Sequence, residues 1–248
     1  MSGRQGRPHG PRAPGPRASR PGEVEFLYED EDIVAVAKPE GLAVIAPDGS
    51  RSRSLLDMVT EHLRRGNPRG RAALLHRIDR DTSGIVVFGK SATAKKVIMG
   101  AWDEIVAERR YSALVEGEME GDSGLLDSWL VENRAGTVFT ARPGERGALR
   151  ALTRWRLVGT GTGLSLLELR LETGRKHQIR VQLAAAGHPV AGDPRYGARS
   201  DPLGRLCLHA ASISLDLPGR EDRLIIEYPA PRSFAAALAG RNRGKSPR

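Results

Sequence analysis

His76-Arg77-Ile78-Asp79-Arg80-Asp81-Thr82-Ser83-Gly84 runs directly into Ile85-Val86-Val87-Phe88. The β-branched and aromatic bias of the second piece is that of a buried strand. A loop dense in titratable side chains is therefore expected at the lip of a core strand, with Ser83-Gly84 as the turn between them. A carboxylate set against an apolar wall and flanked by guanidinium groups can lose part of its hydration and stay ionised, the state a nucleophile requires. Asp79 is the candidate. Taken alone, the plainer reading of a turn-stabilising aspartate or an exposed ion pair is the commoner one, so the rest of the chain has to decide.

With 248 residues, 39% hydrophobic and 28% charged, the chain can bury a sizeable core as one large domain or two small ones. No window approaches the roughly 18 continuous apolar residues of a membrane helix, and the amino terminus lacks the apolar core of a signal peptide. A cytoplasmic protein without a membrane partner is expected. The single cysteine, Cys207, lies between Leu206 and Leu208. It excludes internal disulfides and a Cys-rich zinc site and reads as a small core residue.

The formal charge of +9 is concentrated at the two ends. Arg4, Arg7, Arg12, Arg17 and Arg20 precede residue 23 without any acid, and Arg241, Arg243, Lys245 and Arg248 close the chain likewise. These nine charges are the whole excess of 39 Lys and Arg over 30 Asp and Glu. The body is electrically balanced, and only the tails, 1–22 and 241–248, carry a polyelectrolyte signal. The Pro, Gly and Arg repetition of 1–22 cannot bury apolar surface and reads as disordered. The ordered domain is expected over 23–240.

Within it, 24–28 and 33–37 read as strands, and Lys38-Pro39-Glu40-Gly41 breaks the sheet. A helix is predicted over 55–65 with Ser54 or Ser52 at its start, and another over 92–104 with Ala94, Val97, Ile98 and Trp102 inward. Further strands are predicted over 111–116, 150–158, 164–172 and around 225–228, with a Gly-rich turn at 159–163 and a short helix at 233–238. Residues 118–147 read as irregular and Gly-rich, or as a separate hairpin extension. His209 reads as a hydrogen-bonded core histidine.

A second constellation, Thr173-Gly174-Arg175-Lys176-His177-Gln178-Ile179-Arg180, opens a predicted helix capped by Thr173 and stopped by Gly187 and Pro189. Its charges are misplaced for a structural helix, because four basic groups crowd an end whose dipole is already positive. An anion is implied nearby, either a phosphate or the carboxylate of Asp79.

These pieces together resemble the RluA-type family of pseudouridine synthases over nearly all of 23–240. The loop 76–84 is similar to the family's catalytic loop, with Ile78 where leucine is usual, and 174–180 to its later basic motif, with Lys176 where threonine is expected. Lys38 to Gly41, Arg110 to Gly117 and the stretch Gly192-Asp193-Pro194-Arg195-Tyr196-Gly197, which reads as a tight turn, match in the expected order. The resemblance implies an α+β pseudouridine synthase fold: a long, mixed, mostly antiparallel sheet with flanking helices and a central cleft. It implies Asp79 as the essential aspartate, Arg180 as its partner, Tyr111 as the residue stacked on the target base, and Arg77 as the arginine entering the RNA when the uridine turns out. His76, Arg80, Arg175, Lys176 and His177 are the remaining candidates for contact with an rRNA or tRNA substrate. Family members often carry an S4-like domain before the catalytic one; the stretch from Glu23 to Lys38 is too short for it. A monomer is expected.

The chemistry fits those residue types. Uridine loses its N1–C1′ bond, the uracil turns, and C5 is joined to C1′. Nothing is oxidised or hydrolysed, so neither a redox cofactor nor a metal is expected. A carboxylate can offset or capture the positive charge that develops at C1′, and an aromatic face can hold a turning base. Two other readings are possible: a non-catalytic RNA-binding or ribosome-assembly protein on the same fold, and a metal-dependent nuclease using Asp79 and Asp81. The first must explain why Asp79, Arg77, Tyr111 and Arg180 occur together. In the second, Arg77 and Arg80 oppose a cation.

Overall fold

A computed structural model describes residues 24–240; both basic tails lie outside the described residues. In chain order the strands are β1 (Glu25–Glu29), β2 (Ile33–Lys38), β3 (Ala73–Leu74), β4 (Ser83–Gly89), β5 (Val106–Glu116), β6 (Ser123–Glu132), β7 (Val138–Ala141), β8 (Leu149–Gly161), β9 (Leu164–Leu171), β10 (Leu208–Leu215) and β11 (Leu224–Glu227). The helices are α1 (Leu55–Gly66), α2 (Ala92–Gly100), α3 (Trp102–Ile105), α4 (Gln178–Ala185) and α5 (Arg232–Leu238).

All described strands join one sheet in the order β1-β2-β4-β10-β5-β9-β8-β6-β7, with β11 beside β10 and β3 beside β4. Every pairing is antiparallel except β4 with β10, where Ser83 and Gly84 face His209 and Ala210. This is the mixed, mostly antiparallel α+β architecture expected, and it explains two sequence patterns. Strands β2 and β4 are apolar at consecutive positions because both their faces are covered. Val34, Val36, Val86 and Phe88 meet Leu55, Val59 and Leu63 of α1 on one side, and Ile33, Ala35, Ile85 and Val87 meet Ile98 and Ile105 of α2 and α3 on the other. Farther along, the sheet leaves one face to solvent, and there Arg110, Arg170 and Arg154 lie in one cross-strand row. Glu108 and Glu172 pair with them, so the balanced charge of the body sits on a solvated surface, where such pairs contribute little.

Several predicted elements differ from those observed. Ser83 and Gly84 are the first residues of β4 and not a turn. Glycine is needed because a Cβ at Gly84, φ +114, would lie 2.2 Å from the Ala210 carbonyl oxygen. The predicted helix 92–104 breaks at Ala101, and Val97 is 48% exposed because α2 turns Ala94 and Ile98 inward instead. Of the two readings of residues 118–147 the hairpin is the one found, β6 with β7, and it is not separate but pairs with β8. Ser54 caps α1 as predicted, in a capping box with Asp57. His209 is buried, with Nδ1 2.7 Å from Ser83 Oγ and Nε2 2.8 Å from the Tyr228 carbonyl. Burial raises the Cys207 thiol to about 12, as suits an inert core residue.

Candidate active site

The loop from Leu75 to Thr82 leaves β3 and enters β4 where β10 runs parallel beside it. Ile78 points into the core and leaves Asp79 at the surface of a cleft, its side chain 21% exposed. Two hollows meet there. One, of about 640 Å³, is lined by Tyr111, Arg109, Trp102, Ile179 and Leu208; the other, of about 1000 Å³, by residues 43–48 and 192–195. Arg77, Ile78, Asp79, His177 and Arg180 border both.

The loop is pinned from below by Lys38, at the end of β2 and 1% exposed. Its Nζ donates to the carbonyls of Pro39 (2.8 Å), Leu42 (2.8 Å) and Arg80 (2.6 Å). Burial pushes its pKa down to about 7, with Asp81 and Asp79 opposing. Three carbonyls at once require all three hydrogens of the ammonium, so this geometry stabilises the charged form. Lys38→Met leaves three acceptors unanswered and is expected to cost about 3 kcal/mol. A lowered urea midpoint at unchanged m-value checks it.

The misplaced basic cluster has its anion. Arg180 Nη1 donates to Asp79 Oδ2 at 3.1 Å, joining residues 101 positions apart, while Nε and Nη2 grip Asp193 at 2.7 and 2.8 Å. Arg180 and Asp193 side chains are 7% and 1% exposed. Burial works against the cation, but the bonds and charges of Asp193 and Asp79 outweigh it and raise its pKa. Of the two anions the sequence allowed, the carboxylate is the one met, and Asp193 is a second that sequence reading took for a turn residue.

The start of α4 differs from prediction. The helix begins at Gln178, not after a Thr173 cap. Thr173 Oγ1 instead accepts the Leu152 N–H and donates to Gln178 Oε1, so Arg175, Lys176 and His177 form a loop ahead of the helix. Arg175 Nε donates to the Arg150 carbonyl, and Lys176 Nζ pairs with Glu132 and reaches the Gly136 carbonyl. Arg175 thus fastens β8, and Lys176 the β6–β7 hairpin. His76 accepts the Val87 N–H on Nε2 at 3.0 Å, and burial, reinforced by Arg109, pushes it down to about 4; it is a neutral prop of the loop. Arg80 is exposed and pairs with Asp81. Arg77 is exposed at the seam between the hollows, with no hydrogen bond or ion pair among the described residues.

Tyr111 lies on β5 between Ala210 and Leu169 of the neighbouring strands and lines the smaller hollow. Burial pushes its hydroxyl up to about 12, with Arg109 pulling down and Asp79 pushing up. Arg109, two residues earlier on the same face, was not singled out in the sequence. It is half-buried, unpaired among the described residues, and lies against Gly174, where a Cβ would come within 2.6 Å of Nη1. The site thus joins an oriented carboxylate, an aromatic wall and two unpaired cations around one cleft.

The RNA pseudouridylate synthase family model matches residues 32–185. The ribosomal large subunit pseudouridine synthase D of Nitrosomonas europaea is 34% identical over 87% of this chain and 64% of its own length. An uncharacterized RNA pseudouridine synthase of Mycobacterium tuberculosis is 36% identical over 92% of this chain and 78% of its own, and one of Bacillus subtilis, YhcT, is 32% identical over 85% and 70%. Among solved structures, human RNA pseudouridylate synthase domain containing 4 superposes with a TM-score of 0.71 over 90% of this chain and 95% of its own, at 24% identity, a likeness of fold. No helix among the described residues is long and apolar enough to cross a membrane. The chain therefore belongs to the RNA pseudouridylate synthase family, in its RluA-type branch, and is an isomerase that converts uridine in RNA to pseudouridine.

Proposed function

We propose that the protein modifies particular uridines of ribosomal or transfer RNA, turning each target out of the RNA and acting on it with Asp79. The observation that carries this reading is the carboxylate of Asp79, bonded to a buried arginine and set between two hollows, one of them walled by Tyr111. The name of a relative that acts on the large ribosomal subunit favours rRNA. On this reading 23–240 is the catalytic domain, working as a monomer in the cytoplasm, with the two basic tails flanking it.

In the proposed reaction the Asp79 carboxylate faces C1′ as N1–C1′ breaks, and Arg180 fixes which oxygen is presented. Tyr111 holds the loose uracil while it turns, after which C5 bonds to C1′, loses its proton, and N1 gains one. With its hydroxyl held at about 12, Tyr111 stays protonated in the resting enzyme and serves as a platform. Arg77, exposed and unpaired, is placed to fill the gap left by the extruded base, whose removal costs a few kcal/mol.

The test is incubation of the full-length protein with RNA from a strain lacking it, with pseudouridine scored by carbodiimide-dependent reverse-transcription stops. No new stop on any RNA would overturn the reading. Stacking gives a finer check. Tyr111→Leu should weaken RNA affinity about tenfold or more, since a stacked base is worth about 1–3 kcal/mol, whereas Tyr111→Phe should stay within about twofold in filter binding.

A further inference from the structure

The two oxygens of Asp79 have different neighbours. Oδ2 takes the Arg180 bond, while Oδ1 lies 3.9 Å from His177 Nε2, just outside hydrogen-bond length. His177 holds an unusual backbone, φ 52 and ψ 18, and its side chain does not cap the helix it precedes. Thr162 shares the left-handed conformation, in the two-residue turn with Gly163 between β8 and β9. His177 adopts it as the third residue of the turn Arg175–Gln178, closed by the Gln178 N–H on the Arg175 carbonyl at 3.2 Å, at a cost for a residue with a Cβ. What the conformation secures is the placement of the ring. Nδ1 lies 2.6 Å from the Tyr196 hydroxyl and Nε2 turns toward Asp79.

With the Tyr196 O–H donating across the 2.6 Å to Nδ1, that nitrogen is the acceptor. A neutral imidazole then carries its hydrogen on Nε2, the nitrogen facing Asp79. Tyr196 belongs to the same short turn as Asp193, which grips Arg180. Residues 193–196 thus brace both groups that face the carboxylate, one per oxygen.

We propose that His177 is a positioning residue for Asp79: its Nε2–H, fixed in direction by Tyr196, engages Oδ1 when substrate fills the cleft and sets the orientation in which the carboxylate meets the ribose. This rests on the proposed use of Asp79. It gives His177 a task other than contact with RNA, and gives the turn at 193–196 a reason for carrying both an acid and a tyrosine.

The experiment compares His177→Gln with His177→Asn in the full-length protein, on RNA from the deletion strain, with kcat and KM measured separately. A glutamine amide nitrogen reaches the place of imidazole Nε2; the asparagine amide stops near Nδ1. Gln is expected to keep kcat within about threefold, while Asn loses about tenfold or more with KM unchanged, the effect of one lost hydrogen bond to a charged group. Backbone preference runs the other way, since Asn tolerates positive φ better than Gln, so a purely structural role predicts the opposite order. Tyr196→Phe should lower kcat several-fold at unchanged KM. Equal activity in Gln and Asn, whether high or low, or a loss appearing in KM, overturns the proposal. Failure of the wild type to form pseudouridine on any of these RNAs would instead overturn the reading it rests on.

Discussion

Replacing Asp79 with asparagine is expected to abolish pseudouridine formation, by about 10⁴-fold or more, with RNA affinity within about threefold of wild type. The amide has the size of the carboxylate and can still meet Arg180, so the fold and the cleft should persist. What disappears is the negative charge that faces C1′ and the lone pair able to bond to it, and an effect of that size is what losing a nucleophile or its charge entails. Tritium release from RNA labelled at uridine C5 measures the reaction, because the C5 proton leaves only when the new bond forms. Filter binding measures the affinity. A variant that retained even a tenth of the activity would remove Asp79 from the chemistry. Rescue of a deletion phenotype by that variant would point to the non-catalytic RNA-binding role as the biological one.

The second large effect is expected at Asp193. Arg180 and Asp193 are both withdrawn from water and joined by two parallel bonds. Asp193→Ala strands the guanidinium with only the single bond to Asp79, and breaking such a buried pair costs about 3–5 kcal/mol. Relative to a total of about 5–15 kcal/mol for a domain, that is a large fraction, visible as a lowered denaturation midpoint. The surface provides a control with the same chemistry. Arg150 holds Asp127 by the same two-bond fork, at 3.0 and 2.6 Å, with side chains 55% and 39% exposed. Asp127→Ala is expected to leave the midpoint where it was. If the two variants behaved alike, burial would not be what gives the Arg180 pair its value.

Much of this arrangement is legible in the sequence, unevenly and for physical reasons. The pairing of Asp79 with Arg180 comes from the resemblance of their motifs, whereas the residues themselves leave the anion at the cationic helix start open between a phosphate and the Asp79 carboxylate. Asp193 and Tyr196 stayed hidden inside a turn motif because their partners, Arg180 and His177, lie 13 and 19 residues away, and local patterns do not report such contacts. The start of α4 was misplaced because Thr173 has the chemistry of a cap, but its hydroxyl is taken by Leu152 and Gln178. The protein partners of Arg175 and Lys176, the Arg150 carbonyl of β8 and Glu132 of the β6–β7 hairpin, are likewise too distant along the chain for a local pattern to report. Helix α1, whose cap and apolar stripe are both local, came out within a residue at each end.

One feature of the sheet bears on how the enzyme is made. β10 is the strand that links β4 to β5, yet it spans only 208–215, late in the chain. While the polypeptide leaves the ribosome, the piece bearing Asp79 and the piece bearing Tyr111 and Arg180 have no shared strand until that segment is translated. A message broken before codon 208 therefore yields two half-sheets with bare edges and no active site, a product suited to aggregation and proteolysis.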